Sequence, residues 1–198
     1  MINFKGKNNS EPLKEFKKFY KEALSKNQKN IEAIAISSFS SKMNEVDSRF
    51  VNLKFFIDEN FIFFSNYNSP KGYQFTSHDQ ISALIFWSSI NVQIRIKALI
   101  EKTPNDFSDK YFKNRDKNKN ALAISSNQSQ PIASFREIKK NYINVLSEGN
   151  TSKRPKNWGG YLCKPYSYEF WKGHKNRLNK RQLFFKNNST WESKILQP

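Results

Sequence analysis

Hydrophobic positions follow two periods along this chain, and the switches between them divide it into elements. Between Glu11 and Gln28, Leu13, Phe16, Phe19, Tyr20 and Ala23 recur every third or fourth residue, which predicts a helix with Ser10 as its N-cap. The residues before it, 1–10, are polar, and a mobile tail is expected there. Ile31–Phe39 is an apolar run that predicts a buried strand, and Ser40–Asp47 a polar turn. Ser48–Gly72 then reads as two apolar strands joined by a tight Asp58-Glu59-Asn60 turn and closed by a Ser-Pro break. On the first strand Arg49, Val51 and Leu53 share one face, and Phe50, Asn52 and Lys54 the other. On the second, Phe61, Phe63 and Ser65 alternate with Ile62, Phe64 and Asn66.

Downstream, Ser69–His78 predicts a short helix, Ile81–Trp87 an apolar strand, and Asn91–Lys102 a long alternating one. In the last, Val92, Ile94, Ile96 and Ala98 share one face while Gln93, Arg95 and Lys97 share the other. Thr103-Pro104-Asn105 opens a helix that runs through Arg115, followed by a charged loop at Asp116–Asn120 and a short helix at Ala121–Ser126. Ser134, with Glu137 three residues on, caps a further helix to Glu148. After a loop at Gly149–Asn157, strands are expected at Gly160–Cys163 running towards Tyr168–Trp171, at Gln182–Lys186 and at Trp191–Leu196. No repeat interrupts this series. The pattern predicts one domain over 1–198, mainly antiparallel β with flanking helices (α+β), with residues 1–30 as an N-terminal tail and helix.

Charge changes the picture little. Lys and Arg number 34 against 17 Asp and Glu, a formal net charge of +17. These cations are spread over Lys14–Lys29, Lys110–Lys119, Lys139–Lys156 and Lys172–Lys186, among Asn and Ser, rather than set in one stripe that would track phosphates. Weak, salt-dependent RNA affinity is expected, and no specific nucleic-acid partner. Cys163 stands alone, which excludes an intrachain disulfide, and two His leave no zinc cluster, so no metal is expected. No apolar run is long enough to cross a bilayer and the first residues lack a signal-peptide core, so no membrane partner and a cytoplasmic location are expected.

The candidate chemistry lies in the aromatic walls and fixed cations of Ser48–Gly72, where Arg49, Lys54 and Lys71 suit a flat, phosphorylated ring ligand. Further segments extend it. SRFVNLK, FFSNYNSPKG, Gln93 within NVQIRI, SDKYFKNR, SSNQSQPI, WGGY and EFWKGHKNRLNKR occur in that order. Each is weak alone; together they resemble the motif series of the flavin-dependent pyridoxamine 5′-phosphate oxidase family, from Ala33 to the C-terminal Leu-Gln-Pro.

The resemblance implies an FMN-binding split β-barrel homodimer with FMN at the subunit interface. It implies oxidation of pyridoxamine or pyridoxine 5′-phosphate to pyridoxal 5′-phosphate, a step of vitamin B6 salvage, with O2 as the electron acceptor. It places FMN contacts on Arg49, Lys54, Phe64, Ser65, Lys71, Gln93, Gln128, Ser129, Trp171 and Arg181. The substrate phosphate falls to Lys54, Tyr111 and Arg115, with Lys119 where the family has Ser, and Arg177 and Asn179 are the catalytic pair at the substrate ring. Departures accompany the match: Pro70 and Val92 stand where the family has Arg, Lys172 where it has Gln, Asn179 where it has His, and Lys180 where it has Asp. Asn179 keeps a donor and an acceptor but does not titrate. Two other readings therefore stand beside the first. One is a paralogue oxidising another substrate, resembling the phenazine-biosynthesis flavin oxidases of the same fold; the other is a non-catalytic flavin- or pyridoxal-phosphate-binding protein.

Overall fold

A computed structural model describes residues 1–198. Its elements in chain order are β1 (Asn3–Lys5), α1 (Glu11–Ser25), β2 (Ala33–Ser40), β3 (Glu45–Asn52), β4 (Phe55–Ile57), β5 (Asn60–Asn66), α2 (Pro70–Ser77), β6 (Gln80–Trp87) and β7 (Val92–Lys102). Then follow α3 (Asn105–Lys113), α4 (Lys117–Ser125), α5 (Phe135–Glu148), β8 (Trp158–Lys172), β9 (Lys180–Asn187) and β10 (Thr190–Leu196). The strands form one sheet in the order β1-β4-β5-β8-β7-β6-β2-β3, with β9 joined to β8 and β10 to β9. Every pairing is antiparallel except β1 with β4.

The long strand β8 makes the barrel split. Its first part, Trp158–Cys163, pairs with β5, and its last part, Ser167–Lys172, pairs with β9, while β7 runs along the other edge. The β7–β8 register shifts between Lys97 and Ala98, a bulge beside Pro165, which has no N–H to give the ladder. Inside, Val92, Ile94, Ile96 and Ala98 of β7 are buried as the alternation predicts. The apolar stripe of α1 closes the core, with the Phe16 ring 4.7 Å from Phe56 and 5.5 Å from Trp87. Each such side chain removed from water contributes about 1.5–3 kcal/mol. Trp87 keeps its one polar atom satisfied, Nε1 donating to the Ile31 carbonyl at 3.2 Å.

Five expectations need correction. Residues 1–10 are not a loose tail: β1 pairs with β4, Ile2 is buried, and Phe4 stacks on Phe56 at 5.4 Å. Ser10 precedes α1 but makes no capping bond through its side chain; Pro12 sets the first turn instead. The turn after β2 ends at Asn44, so β3 starts inside the stretch expected to be loop; as an edge strand with both faces largely exposed it carries no apolar alternation. The first strand of the Ser48–Gly72 stretch is also not continuous. It breaks at Leu53-Lys54, β3 pairing with β2 and β4 with β5, and the break separates Arg49 and Lys54 onto two parts of the sheet. Finally, Asp116–Asn120 is not a loop: Asp116 caps α4, its Oδ1 accepting from the Lys119 amide at 3.0 Å.

Candidate functional site

The break in that first strand, the end of β5, the start of α2 and the end of α3 leave a cavity of about 450 Å³. Arg49, Lys54, Phe64, Ser65, Lys71, Tyr111, Arg115, Gln128 and Ser129 all line it, so nine of the sequence-predicted residues meet in one place. Lys119 lies in an adjoining hollow that shares Phe64, Ser65, Arg115 and Gln128 with the cavity.

Lys71 sits in the first turn of α2, where Pro70 supplies the helical φ and Gly72 lets the backbone approach the Tyr67 carbonyl, into which a Cβ would collide. The Lys71 ammonium is buried, donates to Ser69 Oγ at 3.0 Å, and has no carboxylate in contact. Burial, and then the neighbouring Arg49, push it down from 10.5 to about 8. At neutral pH it remains largely charged, a cation short of a counter-ion.

Arg49 is held by a network the sequence did not reveal. Its Nη1 donates to Ser38 Oγ at 2.6 Å and its Nη2 to Gln74 Oε1 at 2.9 Å, and Asp47 pairs with it. Ser38 Oγ also donates to Gln74 Oε1 at 2.5 Å, so the buried Gln74 oxygen takes both. Lys54 is paired with Glu32, which also takes the terminal ammonium of Met1. Burial alone would raise the Glu32 carboxyl, but these hydrogen bonds and charges outweigh it and hold the group below its ordinary value.

The wall is aromatic. Phe64 lies flat on Tyr111 with ring centroids 3.7 Å apart, and Trp158 follows at 5.3 Å from Phe64. The Arg115 guanidinium stands 5.0 Å over the Trp158 ring and donates to Asn120 Oδ1 at 3.1 Å. Burial raises the Tyr111 hydroxyl and lowers Arg115, which keeps its charge at any ordinary pH. Ser65 Oγ reaches Gln128 Oε1 at 3.5 Å. Ser129 holds a left-handed backbone at φ 67°, an uncommon state for a residue other than Gly and one found at ligand clamps.

Five expected site residues do not reach this cavity. Gln93, Trp171 and Arg181 lie directly opposite one another on β7, β8 and β9, and so share a face. Arg181 is engaged there with Glu169, through Nε at 3.0 Å and Nη2 at 2.8 Å. Arg177 lies in the exposed turn before β9 with φ 59°. Asn179 Oδ1 accepts from the His174 amide at 3.0 Å and so braces that turn. Trp158 in the cavity and Trp171 stand thirteen positions apart on β8. A row of exposed apolar side chains joins the two regions: Phe50, which lines the cavity, lies in register with Ala35, Leu84 and Arg95, and Phe86 lies beside Gln93 and Trp171. Phe50 is 75% exposed and Phe86 54%.

Aromatic walls, a buried cation without a carboxylate partner, Lys71, and a clamp residue with positive φ suit a planar ligand bearing phosphate. Ser38, Gln74, Glu32, Asn120 and Trp158 belong to this site and were not singled out from sequence. Of these only Trp158 lies in a recognisable segment, WGGY. No group of His, Cys, Asp or Glu is placed to hold a metal ion.

Comparison with known proteins gives a consistent result. The profile of the pyridoxine 5′-phosphate oxidase C-terminal dimerisation region matches residues 158–198. A pyridoxine/pyridoxamine 5′-phosphate oxidase of Hydrogenovibrio crunogenus is 36% identical over 194 residues, covering 96% of this chain and 89% of the relative. One from Bacteroides thetaiotaomicron is 35% identical over 191 residues, covering 95% and 89%. Among solved structures, PhzG from Burkholderia lata, in complex with tetrahydrophenazine-1-carboxylic acid, matches with a TM-score of 0.90 at 24% identity, over 96% of this chain and 94% of that one. A pyridoxamine 5′-phosphate oxidase-related, FMN binding protein of Nostoc punctiforme matches with a TM-score of 0.75 at 11% identity, over 92% and 97%. These two likenesses concern the fold.

Proposed function

This chain belongs to the pyridoxine/pyridoxamine 5′-phosphate oxidase family of FMN flavoproteins, and we propose that it oxidises pyridoxamine or pyridoxine 5′-phosphate to pyridoxal 5′-phosphate with O2 as electron acceptor. The observation that carries this reading is one cavity with two cation groups, Arg49 with Lys71 and Lys54 with Arg115, beside an aromatic wall. Two flat, phosphorylated rings need that combination. The FMN phosphate is near-dianionic, and the buried Lys71 ammonium, without a carboxylate of its own, fits it. Arg49, Ser65, Gln128 and Ser129 would hold the rest of the cofactor with Lys71 and Lys54. FMN supplies the electron acceptor that no side chain here provides. Lys54, Tyr111 and Arg115 would grip the substrate phosphate, so that binding energy far from the reacting carbon positions it.

The remaining residues come, on this reading, from a second copy. Within one protomer Gln93, Trp171, Arg177, Asn179 and Arg181 do not line the cavity. A two-fold pair joined over the exposed Phe50, Leu84 and Phe86 row would bring Gln93, Trp171, Arg177, Asn179 and Arg181 of one protomer to the cavity of the other. The cavity is then completed by Arg177 and Asn179 at the substrate ring.

The test is O2 uptake by FMN-loaded protein with pyridoxamine 5′-phosphate and with pyridoxamine. The phosphate is expected to raise kcat/KM on the order of hundredfold or more, because a site built to bind a charged group rejects an analogue lacking it. Equal rates would refute the reading. A second reading, oxidation of another ring substrate, is favoured by Asn179: it stands where the family has His and its oxygen is already bound within the turn. Turnover of phenazine-type rings with no activity on the vitamer phosphates would establish it.

A further inference from the structure

The four cations of the cavity have two kinds of partner. Arg49 is paired with Asp47 and Lys54 with Glu32, both carboxylates, whereas Lys71 and Arg115 contact only neutral groups, Ser69 and Asn120. Asn120 is 1% exposed, in the first turn of α4. Its Nδ2 donates to the Phe112 carbonyl at 2.8 Å and to the Thr151 carbonyl at 2.9 Å. Those two acceptors decide which way the amide faces, and they leave Oδ1 as the acceptor for Arg115 Nη1 at 3.1 Å. One side chain thus ties the end of α3, the start of α4 and the segment before β8 together, and orients a guanidinium over Trp158. Asp116, the residue after Arg115 in the chain, caps α4 and acts on the guanidinium through space without an ion pair. A carboxylate at position 120 would bind the guanidinium as well, but would cancel part of the charge that an incoming anion needs.

We propose that Asn120 is a positioning residue that sets the preference for a phosphorylated substrate, by holding Arg115 through a neutral oxygen so that its full charge faces the phosphate. The inference rests on the reading of Arg115 as a ligand of the substrate phosphate. It also explains why an amide is needed: only a side chain with both donors and an acceptor satisfies two buried carbonyls and one cation at once.

The experiment compares FMN-loaded wild type, Asn120→Asp and Asn120→Ser in two measurements: the ratio of kcat/KM for pyridoxamine 5′-phosphate to that for pyridoxamine, and the dissociation constant of pyridoxal 5′-phosphate. Asn120→Asp should lower the ratio on the order of tenfold or more, through KM rather than kcat, and weaken pyridoxal 5′-phosphate to a similar degree. Asn120→Ser, which keeps a neutral acceptor and is gentler on the fold, should lower it less, by about threefold. A merely structural role behaves differently: fewer folded molecules slow both substrates alike and leave the ratio unchanged. An unchanged ratio in both variants, with wild type preferring the phosphate, overturns the role of Asn120 alone. A wild type without that preference overturns the reading of Arg115 and this inference with it.

Discussion

Replacing Lys71 by Met should both weaken FMN and remove a pH dependence from its binding. The Lys71 ammonium is buried beside Arg49 and titrates at about 8 rather than 10.5 in the free protein. Below that pH the free site already carries the charge, so FMN affinity should be nearly flat between about pH 7 and 8. Above it the amine is neutral, and the FMN phosphate must recruit a proton to bind. Wild-type affinity should then fall on the order of tenfold per pH unit. Losing a charge-assisted contact, worth about 1.5–3 kcal/mol, should weaken FMN in the Met variant at pH 7 by about ten- to a hundredfold. The variant should show no slope between about pH 8 and 10, and the two proteins should converge as pH rises. Folding of the free protein has the opposite sign. Between about 8 and 10.5 the unfolded chain binds a proton that the folded chain lacks, so wild-type stability gains from rising pH in that window and the variant does not. Quenching of flavin fluorescence on titration measures the affinity, and riboflavin, which lacks the phosphate, is the control. A flat wild-type profile, or a slope surviving in Lys71→Met, would refute the reasoning.

Other perturbations test other parts. Gln74→Leu leaves Arg49 Nη2 and Ser38 Oγ without their shared acceptor and should weaken FMN about tenfold while leaving riboflavin binding unchanged in the same fluorescence titration. Arg177→Ala should lower kcat/KM about a hundredfold with FMN retained; loss of flavin on gel filtration would show that Arg177 serves the cofactor instead. Co-refolding equal amounts of Lys71→Met and Arg181→Ala, assayed at an FMN concentration too low to load either variant alone, should restore roughly a quarter of wild-type activity by creating one intact site in each mixed dimer; no recovery would mean that the two residue groups do not meet across an interface. Phe56→Ala, which removes a fully buried ring in contact with Phe4, Phe16 and Phe61, should cost about 3–5 kcal/mol in chemical denaturation, and a cost near zero would contradict the packing described.

What was legible in the sequence depended on how strongly each element is patterned. The stripe of α1 and the alternation of β7 are long, one face of each is buried, and both were read correctly. Ser134 accepts from the Glu137 amide at 3.3 Å, so the capping reading of α5 also held. By contrast, β1 has three residues and only Ile2 and Phe4 to mark it, and β3 is an edge strand whose residues mostly face water. Charged residues at the start of α4 hid a helix whose real signal was the Asp116 cap. The cavity itself was legible through Arg49, Lys54, Phe64, Ser65, Lys71, Tyr111, Arg115, Gln128 and Ser129. Gln93, Trp171 and Arg181 belong to the same motif series, yet the course of β8 puts them elsewhere in the protomer. Motif order groups residues along the chain; it does not place them together in space. Gln74 and Asn120 were missed because a neutral partner for a cation is an ordinary residue until its two bonds are seen.

The most direct test of the central claim is anaerobic mixing of FMN-loaded protein with pyridoxamine 5′-phosphate while oxidised flavin absorbance is followed. That absorbance should bleach on mixing and return when air is admitted, with pyridoxal 5′-phosphate formed in step. Retained flavin colour after mixing, with FMN still bound, would contradict it.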